Sequence, residues 1–205
     1  MFDPEATMNP TAQGNALAAS FTPGNAAMRY AWYALLAVAG TMVLTLSAKT
    51  QVPFWPVPMT LQTLAVFAIG AAYGMRLGVA TLVLYLAQGA MGFPVFAGTP
   101  EKGIGLAYMA GPTGGYLLGF VVMAAIAGWA ADRGWSRNPL KLGGAMIVGE
   151  VVMLALGVLW LAYLFGFEKG IAFGIGPFIV TDLVKLALAA CLVPALWSVA
   201  AIFRR

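Results

Sequence analysis

Six apolar stretches cut by short turns, at 30–47, 59–73, 77–91, 113–131, 142–165 and 177–203, constrain this chain more than any other feature. Inside a bilayer each backbone polar group must be satisfied within its own segment, so stretches of this kind become membrane-crossing helices. Hydrophobic residues make up 61% of the chain and charged ones 9%. The mean hydropathy of +0.88 lies far from the soluble balance. The pattern predicts an all-α integral membrane protein, a compact bundle of six transmembrane helices. A span needs about 20 residues, so the short second and third stretches must extend through their interfacial ends or sit inside the bundle. The segment 1–28 is polar, with Asp3 and Glu5 but no Lys or Arg, and it lacks the apolar core of a signal peptide. It is expected as a mobile tail, with 29–205 as a single membrane domain.

Basic residues orient the bundle. Arg29, Arg76, Arg133, Arg137, Lys141, Arg204 and Arg205 fall on one side, and Lys49, Lys102 and Lys169 on the other. By the positive-inside rule the richer side is cytoplasmic, which puts both termini inside a multi-pass protein of the cytoplasmic membrane. The net charge of +4 therefore reports topology and lipid contact rather than nucleic-acid binding.

Much chemistry is excluded by inspection. With no histidine and one cysteine, imidazole catalysis and His- or thiolate-ligated metal sites fail. Cys191 lies in the last stretch and is expected as a small core residue. No Gly-x-x-x-x-Gly-Lys-[Ser/Thr] loop occurs, so no P-loop nucleotide site is expected. The ionisable groups left within the stretches are Glu150, Asp182 and Lys185, with Asp132 at a cytoplasmic end. The inventory predicts neither an enzyme nor a resident metal or cofactor.

It does suit a binding site. Val52-Pro-Phe-Trp-Pro-Val-Pro-Met-Thr-Leu-Gln-Thr-Leu64 carries prolines at 53, 56 and 58, each fixing one φ and removing a backbone donor, so helix can begin only at about Met59. Phe54 and Trp55 are then held at the surface, as binding aromatics or as an interfacial belt. Thr60 and Gln62 enter the apolar region in need of partners. Asp182 and Lys185, three apart, share a helix face in the outer half of the last span. Ionisable residues at that depth cost about 2.5 to 3.5 kcal/mol each, which makes them functional candidates. Glu150 is either a structural acid or a proton-coupling carboxylate, and Gln88 faces either a pocket or a neighbouring helix. The external connection 92–112 is rich in glycine and carries Phe93, Phe96 and Tyr108, a composition suited to a lid. Ala27, Ala31, Ala34, Ala37 and Gly40 recur at helical spacing and permit close helix approach, within the bundle or against a partner.

Taken together, Val52 to Leu64, Gly92-Phe-Pro-Val-Phe-Ala-Gly98, Gly111-Pro-Thr-Gly-Gly-Tyr-Leu-Leu-Gly-Phe120 and Asp182-Leu-Val-Lys185 strongly resemble the BioY family. These are the biotin-specific substrate-binding subunits of energy-coupling-factor vitamin transporters. The resemblance runs from about Tyr30 to the end. It implies a six-helix subunit that captures biotin from outside with high affinity and joins a transmembrane coupling protein and paired ATPases, which supply the energy. It implies biotin contact at Asp182 and Lys185, with Gln62 or Gln88 completing the hydrogen bonds. Phe54, Trp55, Phe93 and Tyr116, within the shared motifs, join the candidate set. The family's Ala-x-x-x-Ala docking patch maps to Ala27, Ala31 and Ala34, although Tyr30 stands where one alignment places the first Ala. Rival readings are a stand-alone proton-coupled carrier, a subunit for another vitamin, and an intramembrane enzyme.

Overall fold

The structure is a computed structural model that describes residues 16–53, 55–176 and 178–202. Helix α1 (Ala26–Lys49) starts at Asn25, whose side-chain oxygen accepts from the Ala27 amide at 2.9 Å, satisfying one donor that the first turn leaves free. The helix rises about 36 Å at 1.5 Å per residue, enough for a hydrocarbon core of about 30 Å.

The chain then pairs Gln51–Val52 (β1) with Met59–Thr60 (β2), Gln51 opposite Thr60 and Val52 opposite Met59. The proline-rich segment is therefore a hairpin loop with tied ends. The expected helix start at Met59 is corrected to Gln62, because Met59 and Thr60 spend their backbone groups on the strand pair.

Helix α2 (Gln62–Ala90) is helical on both sides of Gly74 but reverses there, at φ 81° and ψ 173°. The Gln62 amide nitrogen lies 2.9 Å from the Tyr85 hydroxyl. In a straight helix those positions would stand about 35 Å apart. A Cβ on Gly78 would come within 3.2 Å of the Gly70 Cα, so α2 is two antiparallel arms. Only glycine adopts this φ readily, and Asp132 fills the space a side chain would need. The Asp132 Oδ2 accepts from the Met75 amide at 3.0 Å, at the start of the second arm.

The arms pack on α4 (Gly114–Asp132), with Gly70 against the Ala124 backbone and Gly128 against Gly74 and Met75. Between them lies the short α3 (Gly105–Met109). Helix α5 (Pro139–Phe165) has Asn138 as its cap, the side chain accepting from Leu140 and Lys141 amides, and Pro139 in its first turn, where a missing N–H costs nothing. Helix α6 (Phe167–Gly174) leads to α7 (Ile179–Ile202). Among the described residues α1, α4 and α5 are long and apolar enough to cross a membrane, as is α2 when its two arms are counted as one length, and α6 with α7, bent by 46°, form another if taken as one span.

Two expectations change. Ala16 and Ala18 are buried, and Ala16 reaches the Gly74 bend, so the part of the tail from Ala16 to a short 3-10 turn at Leu17–Phe21 is docked rather than free. Cys191 is exposed on α7, not a core residue. The inward face of that helix is set by Asp182, Lys185, Leu186, Ala189 and Val193, and position 191 falls opposite with Leu188 and Leu192, a face that suits lipid.

Candidate binding site

One end of the bundle gathers the β1–β2 hairpin, the start of α2, the 91–113 connection and the first turns of α7 around a cavity of about 500 Å³, its mouth included. Its apolar walls come from Val57 and Pro58 of the hairpin, Phe120 of α4, Met153 of α5 and Phe178 ahead of α7.

The polar wall is built on α7. The Lys185 ammonium donates to Asp182 Oδ1 at 2.7 Å, and the Thr63 hydroxyl donates to the same oxygen at 3.3 Å. Asp182 is 3% exposed and Lys185 8%. Both charges are thus desolvated, and each needs the other. Asp182 also sits in the first turn of α7, where the helix dipole favours a carboxylate. Neither of these bonds uses Oδ2, and Lys185 commits one of three protons to Asp182, so acceptor and donor capacity remain for a ligand.

The 91–113 connection closes over this wall and is fastened at several points. Phe96 is 1% exposed, stacked on Tyr108 with centroids 5.0 Å apart and edge-on to Tyr85 at 5.4 Å. The Tyr108 hydroxyl donates to the Ala97 carbonyl at 2.7 Å. Burial pushes the Tyr108 phenol upward, the Thr113 hydroxyl beside it pulling it back in part, so it remains a neutral donor. Trp160 donates to the Gly111 carbonyl at 2.8 Å.

The structure brings Asp182, Lys185, Gln62 and Tyr116 together around the cavity. Tyr116 donates to the Gly174 carbonyl at 3.0 Å and packs on Phe178, linking α4 to the end of α6. Trp55 stands outside, 67% exposed, its ring against Phe165 and Phe173. Phe93 is exposed and Gln88 half-buried, and neither lines the cavity. Phe54 lies outside the described residues. Ala27, Ala31 and Ala34 are exposed along one side of α1, whereas Ala37 and Gly40 face inward, Gly40 against Thr81 and Tyr73. Glu150 is 6% exposed, its oxygens meet no hydrogen-bond donor among the described residues, and its charged neighbours are Asp182 and Lys185.

Several contributors do not stand out in the sequence. Thr63 is hidden beside Gln62, and Lys49 reads as a topological charge. Tyr85 is an aromatic in an apolar stretch, and only the reversal at Gly74 brings it to Gln62.

Fold and site together define a multi-pass helical membrane protein with a small-molecule cavity at one end of its bundle. Residues 18–202 match the sequence model of the BioY family, and the chain belongs to that family. It is 39% identical to the probable biotin transporter BioY of Pyrococcus horikoshii over 145 residues, 71% of this chain and 83% of that one. It is 38% identical to the biotin transporter BioY of Thermotoga maritima over 151 residues, 73% of this chain and 86% of the other. A crystal structure of the S-component for biotin from an ECF-type ABC transporter superposes with a TM-score of 0.68 at 20% identity, covering 82% of this chain and 92% of that one, a likeness of fold.

Proposed function

We propose that this chain captures biotin from the outer face of the cytoplasmic membrane as the substrate-binding subunit of an ECF-type transporter. It does so with six spans, both termini cytoplasmic, and no covalent chemistry of its own. The observation that carries the proposal is the buried Asp182–Lys185 pair at 2.7 Å on the wall of an aromatic-roofed cavity. Biotin offers ureido N–H donors, a ureido carbonyl and a carboxylate. A carboxylate matches the first and an ammonium the others. The relatives named as biotin transporters support the choice of ligand.

Magnitudes agree with a trace vitamin as ligand. Nanomolar capture needs about −12 kcal/mol, which over roughly 16 heavy atoms is about 0.8 kcal/mol per atom, inside the ceiling for small ligands. Such efficiency requires pairing of nearly every polar group and enclosure of the thiophane ring, for which Phe96, Tyr108, Phe120 and Phe178 supply the apolar surface. Trp55 and Phe93 act as rim residues on the segments that roof the cavity. Gln88 is left to helix packing. The exposed Ala27, Ala31 and Ala34 side of α1 is the face offered to the coupling protein, whose ATPase partners supply the energy.

The test is equilibrium binding of biotin to the purified chain in detergent, beside Asp182→Asn and Lys185→Ala, with thiamine and riboflavin as controls. Tight binding to biotin alone, lost in both variants, is expected. A well-folded wild type that binds no biotin overturns the proposal.

The position of Glu150 beside Asp182 and Lys185 favours a second reading, uptake coupled to protons without partners. It predicts that vesicles holding only this chain accumulate biotin under a pH gradient and that Glu150→Gln stops them. Uptake that requires ATP and partner subunits discards it.

A further inference from the structure

Tyr85 lies 2.9 Å from the Gln62 amide nitrogen and 3.0 Å from the Val95 carbonyl. The Val95 oxygen has no proton, so it can only accept. Tyr85 has a single hydroxyl proton, and that proton is spent on Val95. Toward Gln62 the phenol oxygen is left as an acceptor, and the Gln62 group facing it must be the NH₂. The two ends of a glutamine amide are interchangeable in shape, yet here the chemistry of the second neighbour settles which end points where. Gln62 Oε1 then points the other way. It takes no hydrogen bond among the described residues, and Gln62 lines the cavity.

We propose that Tyr85 is a positioning residue that sets the polarity of this wall, holding the Gln62 amide with its oxygen toward the cavity so that the site selects a ligand bearing an N–H there. The inference rests on the biotin reading and narrows it. Thr63, next in the chain, bonds Asp182, so the Gln62 oxygen and the Asp182 carboxylate occupy adjoining stretches of one wall. Two acceptors near an ammonium suit a cyclic urea, which presents N–H groups on either side of a carbonyl. Without Tyr85 the amide is free to turn its NH₂ inward, and the wall would then oppose the ligand's N–H with a donor. The arrangement also ties selectivity to the roof, because the same hydroxyl holds Val95.

A double-mutant cycle on the full chain tests this, with Tyr85→Phe, Gln62→Met and the double variant titrated with biotin and with its ureido N-methyl analogues. Phe keeps the ring that meets Phe96 and removes only the hydroxyl. Tyr85→Phe is expected to weaken biotin binding about tenfold, the size of one lost hydrogen bond, and to narrow the preference for biotin over one N-methyl analogue. In the Gln62→Met background the same change is expected to cost less than about twofold, since no amide remains to orient. An equal cost in both backgrounds overturns the inference and leaves Tyr85 as a tether for the loop. Should Tyr85→Phe not fold, Gln62→Met alone decides, because it must narrow the preference for biotin over that same N-methyl analogue, and an undiminished preference overturns the inference. A folded wild type that binds no biotin overturns the biotin reading itself, a result separate from either of these.

Discussion

Lys49, the last residue of α1, holds Thr99 at two points: its ammonium donates to the Thr99 carbonyl at 2.7 Å and to the Thr99 hydroxyl at 2.9 Å. The third proton goes to the Phe96 carbonyl at 3.1 Å. One cation thus occupies three acceptors of the segment that roofs the cavity, and these are charge-assisted bonds, stronger than neutral ones. Lys49→Met keeps the aliphatic stem and removes all three. Faster ligand release is expected, about tenfold for loss of one or two net hydrogen bonds at an exposed site, with little change in melting temperature. Stopped-flow displacement of bound biotin reads it, and an unchanged release rate would free the roof from Lys49.

The buried ion pair makes a second, less intuitive prediction. Removing one partner strands the other in a site that excludes water, which costs about 3 to 5 kcal/mol of stability. Replacing both with neutral side chains of similar size removes that penalty. Asp182→Asn and Lys185→Met are therefore each expected to melt below wild type, while the double variant recovers most of the loss and still binds no biotin. Thermal unfolding with and without ligand separates the two effects. A double variant no more stable than the worse single would show that the pair is not stranded by halves.

That pair was legible in the sequence because i,i+3 spacing is a property of the helix alone, and the helical, membrane-crossing class was legible because a bilayer demands long apolar segments. The α2 hairpin was half legible. Two short stretches stood either side of Gly74, but the meeting of Gln62 with Tyr85 depends on where the reversal falls and on Asp132 arriving from α4. The helix start was misplaced by three residues because local rules saw the prolines and not the pairing of Val52 with Met59 across them. For Cys191 the information was present, since the phase set by Asp182 and Lys185 already turns position 191 away from the core. Trp55 shows a further limit. Composition marks an aromatic as a contact, but only tertiary packing decides with what.

Trp55 packs edge-on to Phe173 at 5.4 Å and tilted to Phe165 at 6.0 Å, so it clasps the β1–β2 hairpin loop to the end of α5 and the last turn of α6 from outside. Aromatic pairs of this kind contribute about 0.5 to 1.5 kcal/mol each beyond burial. Trp55→Ala is expected to weaken biotin binding by about threefold to tenfold through a looser loop, with selectivity among vitamins unchanged. Loss of binding by several hundredfold in titration calorimetry would instead place the indole on the ligand.

The two faces of α1 should respond differently to bulk. Ala31 and Ala34 are exposed, whereas a Cβ on Gly40 would meet the Thr81 methyl at 2.6 Å and the Tyr73 ring at 3.2 Å. Ala31→Leu with Ala34→Leu is expected to leave biotin binding and melting temperature as in wild type and to reduce co-purification with a coupling protein. Gly40→Leu is expected to lower the yield of folded chain in the membrane. If the outward pair also destabilised the isolated chain, that face would belong to its own packing.

Gly89 gives the sharpest check on the roof. A Cβ there would overlap the Phe96 ring, and that ring cannot swing aside because Tyr85 and Tyr108 hold its edge and its face. The Phe96 ring lines the cavity, so Gly89→Ala has to displace it toward the ligand or lift the segment that carries it. Overpacking of this sort costs about 1 to 3 kcal/mol. Since the roof touches the cavity while the α2–α4 packing lies below it, the loss is expected mainly in binding, about tenfold or more, with the folded yield preserved. Gly89→Ala combined with Phe96→Leu, which removes the obstructing ring edge, is expected to regain stability without regaining full affinity. Should Gly89→Ala bind biotin as wild type does, Phe96 would not be part of the wall that meets the ligand.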